Sequence, residues 1–495
     1  MRKSIAIIGA GLGGMAAGIY GQLNGYDTQI FESHILPGGQ CTSWKRKGYT
    51  FDICIHHFYG GSPASKLYRL WKELGVMPRE MVQPEECVSV LFPDGRLFSD
   101  YYDLDRLERH LKELAPLDSK VISEYVNAVR LFYGKDLVGE MMMGSLWGLL
   151  GILASRPSMF RYLGLSMKEF AGKFSDPFLK KAFPLLVYSA PDIPMFLHLA
   201  RHAYGLDGTL QWPVSGSLGL ARSMEKRYLE LGGTICYRSR IDRILVENDK
   251  AVGVRLTDGT KHLADIVISN ADGRKTILEL LEGRYLDEKT REYCREPPDE
   301  TNWGVHVFLG VNRDISREPS SLIMLLDDPV TIANHRNESL AMQIYGFDPT
   351  IAPPGKGVIK VELISSYSYW KQLETDKPRY DAEKERVATQ VIEVLERRFP
   401  GIKNQIENVD VPTLMTWERF VSETHGWLNF PNKKFSMMGS IGAKGGQGTL
   451  PGLSDFYFAG AWATSLNALF ASALSGKNAI QAICKKDGRG FVTSK

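Results

Sequence analysis

The run from Ile5 to Glu32 constrains this chain more than any other stretch. An apolar, β-branched segment, Ile5-Ala6-Ile7-Ile8, leads directly into Gly9-Ala10-Gly11-Leu12-Gly13-Gly14 and then the helix-compatible run Met15 to Leu23. Asp27 to Glu32 reads as a second strand that ends on a carboxylate. A short continuous apolar run is the pattern of a buried parallel strand. Strand, G-x-G-x-x-G turn, helix, strand and terminal acid together make the dinucleotide-binding pattern. Each position has a physical task. Gly9 allows the tight turn, Gly11 lets a pyrophosphate approach bare backbone, and Gly14 lets helix and strand pack closely. The helix N-terminus adds unpaired N–H groups and the positive end of a dipole. Glu32, roughly twenty residues on, can accept hydrogen bonds from the ribose hydroxyls of an adenosine and would repel a 2′-phosphate, which disfavours NADP. The turn itself does not choose between FAD and NAD.

At 495 residues the chain has room for two or three domains and a large core. Charged residues make up 24% and apolar ones 44%, as in an ordinary soluble globular protein. With 60 basic against 57 acidic side chains the net charge is +3, so no global field points to nucleic acid. Cysteines 41, 54, 87, 236, 294 and 484 show neither C-x-x-C nor zinc spacing, so no metal is expected. A reduced, cytoplasmic protein fits them better than a disulfide scaffold. Only Met1 to Ser4 precede the first strand, so no signal peptide is expected.

Further along, Trp44-Lys45-Arg46-Lys47 has two readings: a solvated basic loop, or a cation near phosphates, with Arg46 the better contact because its fork suits phosphate. His56 and His57 are adjacent, point apart on any regular element, and make a poor metal pair. Ser65 to Asp136 reads as mostly helical, with a hairpin at Ser89 to Ser99. Met141 to Ala154 is the most apolar patch; as one helix it would span about 21 Å, short of the roughly 30 Å hydrocarbon core. Arg156, Arg161 and Lys168 follow, interleaved with Phe160, Tyr162 and Leu163. That suits a segment lying in a bilayer interface or the mouth of an apolar channel, against a buried helical hairpin. Thr234 to Tyr237, Ile241 to Glu247, Ala251 to Thr257 and His262 to Asn270 read as strands, as do Trp303 to Val311 and Val358 to Ser365, with a charged helix near Asp381 to Arg398. Phe456 to Gly460 reads as a strand entering glycine, before the small-residue helix Ala471 to Cys484. Gly476-Lys477-Asn478 lacks Walker spacing, and Ser215 stands where a G-x-S-x-G elbow needs glycine, so neither phosphoryl transfer nor acyl hydrolysis is supported. No second G-x-G-x-x-G follows a strand. The cluster Gly442 to Gly448 precedes Thr449-Leu450-Pro451-Gly452 rather than a helix. A single nucleotide site leaves a quinone or oxygen, rather than NADH or NADPH, as the expected electron partner.

Pro37-Gly38-Gly39, a second glycine pair after the ribose acid, resembles the extended signature of FAD-dependent oxidoreductases. Phe51-Asp52-Ile53-Cys54-Ile55-His56 resembles F-D-x-G-x-H, with Cys54 where glycine is usual. Pro213 to Gly219 resembles a P-x-G-G-x-G/L loop. Gly232-Gly233 through Asp272 resembles a second FAD segment. Gly460 to Gly476 has the length of a closing flavin motif, with Ser465-Leu466-Asn467-Ala468 in place of Pro-Gly-Gly-Gly. On these blocks the chain resembles the phytoene desaturase-related flavoproteins: carotenoid desaturases, carotenoid isomerases and retinol saturases. The resemblance implies an FAD site drawn from Gly9, Gly11, Leu12, Gly14, Glu32, Gly38, Gly39, Gln40, Cys41, Arg46, Ile241 (a backbone contact to adenine), Asn270, Gly460, Ala461 and Leu469. It places His56 near the flavin, either moving a proton or packing the domain as a hydrogen-bonded histidine. The implied fold is α/β: a Rossmann-like, glutathione-reductase-like FAD domain from 1–64, 205–284 and 412–495, with an inserted α+β substrate domain at 65–204 and 285–411. An apolar helical cap lies near 141–188. The implied chemistry is desaturation, saturation or isomerisation of a long lipophilic polyene or isoprenoid, hydride passing between flavin and an apolar chain, with peripheral membrane contact. A flavin amine oxidase and a non-catalytic flavin- or lipid-binding protein are the alternatives.

Overall fold

The N-terminal apolar run forms the strand Ser4–Ile8, the middle of a five-stranded parallel sheet. In spatial order the strands are Thr234–Cys236, Asp27–Phe31, Ser4–Ile8, Ile266–Ser269 and Phe456–Phe458. This computed structural model describes residues 2–144, 146–187, 192–286, 288, 291, 302–421, 448–464 and 468–494. Ser465 to Asn467, Cys294, and residues 442–447 of the late glycine cluster lie outside the described residues, as do Ser145 and Tyr188 of the cap.

The continuous apolar character of the central strand follows from its being covered on both sides. Ile5 and Ile7 join Ile30 and Ile268 in packing on the helices Leu12–Leu23 and Leu469–Lys486. Ala6 and Ile8, with Phe31 and Val267, face the other way, into a three-stranded antiparallel layer formed by Ile241–Glu247, Lys250–Leu256 and Lys261–Leu263. The two covering helices meet at glycine: a Cβ on Gly476 would stand 2.1 Å from the Gly13 carbonyl oxygen.

A seven-stranded sheet forms the second layer system, in the order Ile406–Asp410, Asn302–Val311, Gly357–Ser365, His335–Ile344, Ser321–Ile332, Glu86–Leu91, Leu97–Tyr101. The helix Lys377–Arg398 lays Val387, Val391 and Leu395 on one face. A helical layer between Leu104 and Leu206 covers its far end with a separate core.

Three local expectations change. The stretch His262 to Asn270 is two strands, because the chain changes sheet at Ala264-Asp265. Lys261–Leu263 pairs antiparallel with Gly253 to Arg255, whereas Ile266–Ser269 pairs parallel with Ile5 to Ile8. Asp265 fixes the switch by accepting the Ser4 N–H at 2.8 Å. The apolar patch is two helices, Leu137–Met143 and Leu146–Ser155, parted at an extended Gly144 where a helix interior is unfavourable. The basic run is no loose loop. Ser43–Arg46 and Tyr49–Asp52 form a hairpin closed by Lys47 and Gly48, both at positive φ, as a two-residue primed turn requires. Among the described residues no helix is long and apolar enough to cross a membrane.

A Cβ on Gly14 would sit 2.1 Å from the Gly9 carbonyl oxygen. Gly14→Ala is therefore expected to lower unfolding stability by about 1–3 kcal/mol, as overpacking does. An unchanged urea midpoint would contradict this close approach.

Candidate active site

Three cavities with shared lining residues follow one another, the first two beyond the C-terminal ends of the parallel strands, where open α/β sheets bind ligands. The first, about 550 Å³, is walled by Gly9, Gly11, Glu32, Gly39, Arg46, Ile241 and Asn270. The Leu12–Leu23 helix begins at Gly11, which makes no side-chain cap bond, and carries no acid in its first turn. Its N–H groups thus face the cavity edge without a competing carboxylate, which favours an anion. The Glu32 carboxylate holds the turn: Oε2 accepts the Ala10 N–H at 2.7 Å and Oε1 the His34 N–H at 2.7 Å. A carboxylate has about four lone-pair sites, so capacity for a ribose hydroxyl remains. Arg46 stands at the hairpin tip, over half exposed, 3.8 Å from Asp410. Lys384 and Lys275 also line this cavity, a cationic contribution the sequence pattern did not disclose.

The second cavity, about 230 Å³, shares Gly11, Gly39 and Asn270 with the first and adds Leu12, Gly38, Gln40, Cys41, His56, Gly460, Ala461 and Leu469. Gly14 lines neither and acts from behind, through the packing described above. Asn270 sits at the crossing of these walls. A Cβ on Gly11 would come within 2.6 Å of its Nδ2, and one on Gly460 within 2.3 Å of its Oδ1. These bare-backbone positions form a cradle that side chains would fill, which fits a flat cofactor and its pyrophosphate.

The third cavity, about 500 Å³, meets the second at His56 and His57. The two histidines diverge, as neighbours must. His56 Nε2 lies 2.8 Å from Glu362 Oε1, and His57 Nε2 lies 2.6 Å from the Arg201 guanidinium. Lys360 Nζ is fully buried and 2.9 Å from the same Glu362 oxygen. His306 stands opposite Glu362 in the sheet register. Burial alone would raise the Glu362 carboxyl, but His56 and then Lys360 overcome it and hold it well below the ordinary carboxylate range. Burial, then Arg201, lowers His57 well below an ordinary imidazole. Burial likewise takes His306 down to about 3. Lys360, Glu362, His306 and Arg201 were not foreseen. Their signal was there: Lys360 and Glu362 are two apart in the apolar strand Gly357–Ser365 and so share a face.

Asp52, fully buried, joins the hairpin to the Ser215-Gly216-Ser217 turn by accepting the Ser217 N–H and Oγ–H, each at 2.6 Å. A separate polar knot lies inside the helical layer, where Tyr125 Oη is 2.7 Å from both Asp100 Oδ1 and His198 Nε2. Burial takes His198 down to about 3.

Residues 7–74 match the family described as an NAD(P)-binding Rossmann-like domain. The chain is 24% identical over 439 residues to a chloroplastic prolycopene isomerase of Arabidopsis thaliana, covering 85% of this chain and 73% of that protein. It is 24% identical over 450 residues to a neurosporene-forming phytoene desaturase of Rhodobacter capsulatus, covering 84% and 82%. Among solved structures, an oxidoreductase from Methanosarcina mazei superposes with a TM-score of 0.62 at 18% identity, covering 97% of this chain and 100% of that one. A putrescine oxidase variant gives 0.61 at 12%, covering 98% and 99%. Fold, cavities and relatives together define a mixed α/β oxidoreductase with a Rossmann-like nucleotide-binding domain. The resemblance to the phytoene desaturase-related enzymes, drawn above from motifs, extends over most of the chain.

His198 and His306 stay neutral when folded, whereas in the unfolded chain they take up protons below about pH 6.5. The unfolded state then binds more protons, so stability falls as pH drops from 6.5 toward 3, by at most about 2.7 kcal/mol per pH unit for two such groups. Asp100, held at about 2 against its burial by His202, loses its contribution lower still. Urea midpoints are expected to drop steeply between pH 6 and 4, and less steeply in His306→Leu. A flat wild-type profile would show that these histidines are not buried neutral.

Proposed function

We propose that the chain is an FAD-dependent oxidoreductase acting on carbon–carbon double bonds of a long apolar polyene. The observation that carries this reading is the chain of cavities. The first shares Gly11, Gly39 and Asn270 with the second, and the second shares His56 and His57 with the third. The adenosine and pyrophosphate would lie in the first, the flavin ring in the second and the substrate in the third. Bound flavin supplies a two-electron centre that exchanges hydride with carbon. The chain's own residues do the remaining work. Glu32 and the Gly9–Gly14 turn bind the nucleotide, and Val88, Leu185, Leu186 and Ile323 give the third cavity an apolar wall that excludes water. His56, between the two inner cavities, is oriented by Glu362 and is the group placed to hold or move a proton beside the reacting carbon.

The segments 1–64, 205–284 and 412–495 are assigned to nucleotide binding because strands from all three lie in one parallel sheet. The intervening segments supply most of the wall of the third cavity, with His56, His57 and Leu210 to Trp212 from the nucleotide-binding segments. The amine-oxidase reading draws on a shared glycine-pair signature and on fold likeness at 12% identity. The polyene reading draws on relatives spanning most of the chain, named as a prolycopene isomerase and a phytoene desaturase. With one nucleotide motif, a lipophilic carrier such as a quinone, or oxygen, serves as the electron partner.

The FAD reading is tested by Gly11→Val, whose side chain would enter the cradle beside Asn270 and leave the purified protein colourless. Glu32→Ala is expected to weaken FAD by about 1.5–3 kcal/mol, roughly 10- to 150-fold, for a lost charge-assisted bond. His56→Gln should keep its flavin and slow the flavin's exchange of electrons with polyene. A yellow Gly11→Val protein, or a His56→Gln enzyme of undiminished rate, would remove the respective assignment.

Membrane contact is proposed at the split cap. Trp147 is 82% exposed, and Met141, Leu150, Phe160 and Leu163 are exposed near it. Leu149, Ile152 and Leu153 of the same helix face the core. Arg156 is engaged by backbone carbonyls near the end of the Ser119–Phe132 helix, which leaves Arg161 and Lys168 as the exposed basic flank. Flotation with anionic liposomes is expected, and Trp147→Ser with Leu150→Ser and Phe160→Ser should abolish it with flavin retained. Equal flotation of the variant would move the contact elsewhere.

A further inference from the structure

Cys41 and Cys54 lie two residues beyond the two arms of the hairpin that carries Arg46. Its register pairs Trp44 with Phe51 and Ser43 with Asp52. Carried two residues further, it sets Cys41 opposite Cys54, and the Ile53 N–H bond to the Thr42 carbonyl at 3.4 Å continues it. Directly opposed residues of an antiparallel pair have Cα atoms about 4.5–5.5 Å apart, inside the roughly 4.4–6.8 Å window of a disulfide. The Cys41 thiol donates to the Ser217 carbonyl at 3.3 Å, and the neighbouring Cys54 raises its pKa. Both are free, both are buried, and both line the second cavity, beside His56 and the Gly460 turn. The other described cysteines differ: Cys87 contacts Tyr102, Cys236 accepts from Gln29 and Cys484 contacts Tyr26.

We propose that Cys41 and Cys54 are a redox-active dithiol that stores two electrons beside the flavin and delivers them to it by closing to a disulfide. The inference rests on the reading that a flavin occupies the second cavity. In the step, two S–H bonds break and one S–S bond forms. The electron pair and one proton pass to the oxidised flavin, completing its two-electron reduction, and the second proton is released to solvent. The reverse step recharges the pair from reduced flavin.

The local chemistry favours giving up electrons. The neighbouring Cys54, then burial, push the Cys41 thiol well above the ordinary range. A dithiol whose reduced form is not stabilised as thiolate forms a stable disulfide and a reducing couple. Scarce thiolate also makes attack on external disulfides slow, so exchange runs through the cavity rather than with bulk thiols. Cys54 occupies the position that is glycine in the resembling F-D-x-G-x-H pattern, so the pair is a property of this chain rather than of that pattern.

The test is an anaerobic dithionite titration of the flavin-loaded protein after oxidation with diamide and removal of the reagent. Four electrons per bound flavin are expected for the wild type, and two for Cys54→Gly and Cys41→Ser. In parallel, maleimide labelling under denaturing conditions should find four reactive thiols of the six in the oxidised wild type and five in each variant. Lys45, Arg46 and Lys47 lie between the two cysteines, so trypsin separates them and the bridge would appear as two joined peptides. This mapping decides the matter even if a variant fails to fold. Two electrons per flavin with six free thiols in the wild type would overturn the proposal while leaving the flavin reading intact. A protein that binds no flavin would overturn both that reading and this electron route.

Discussion

The close approach of three chain segments at the head of the parallel sheet is the constraint on which the rest depends. Ile8, Ser269 and Phe458 end neighbouring strands, and just beyond them Gly9–Gly13, Asn270 and Gly460 come within backbone contact. A Cβ on Gly13 would stand 2.4 Å from the Gly460 nitrogen. Only bare backbone permits that spacing, and it opens a cradle where side chains would otherwise meet. The Ala459 N–H bond to Ser269 and the Asn270 N–H bond to Ile8 tie residues hundreds of positions apart into one floor. Distortion there would disturb the first and second cavities together, since Gly11, Gly39 and Asn270 line both.

The chemistry of the inner junction rests on a different economy of charge. Lys360 is fully buried and Glu362 largely so, on a sheet face they share with buried His306 and Gln343, a placement that is unfavourable unless the charges are paired. Here the carboxylate stands against an ammonium and two imidazoles, and it aims one of them, His56, at the boundary of the two inner cavities. Such a cluster contributes little net stability. Its consequence is a histidine of defined orientation where substrate and cofactor would meet.

The cap shows how one apolar run serves two surfaces. Broken at Gly144, it turns Met142 and Met143, with the preceding Val138, toward the core that holds the Leu12–Leu23 helix, and Leu149, Ile152 and Leu153 toward the helical layer. Trp147 and Leu150 are left outside. One helix thus carries both a buried face and an exposed apolar face.

The nucleotide half of the site was legible because its signals are local. Strand, glycine turn, helix and acid lie within Ile5 to Glu32, and their spacing follows from covalent geometry. The glycine pair, the hairpin cysteines and His56 sit within a further short stretch, so their proximity was also a matter of chain order. Sequence spacing could not convey what the two sheets join across long separations: Asn270 against Gly11 and Gly460 against Gly13, or Glu362 and His306 near His56. Nor could periodicity show that His262 to Asn270 changes sheets, because both halves are equally strand-like and only Asp265 on Ser4 marks the switch. The sequence by itself determined that a dinucleotide turn opens the chain, since that depends on residues touching through one turn of backbone. The tertiary structure alone decided which distant charges meet at the second and third cavities, because burial of a Lys–Glu–His cluster is a property of the folded sheet.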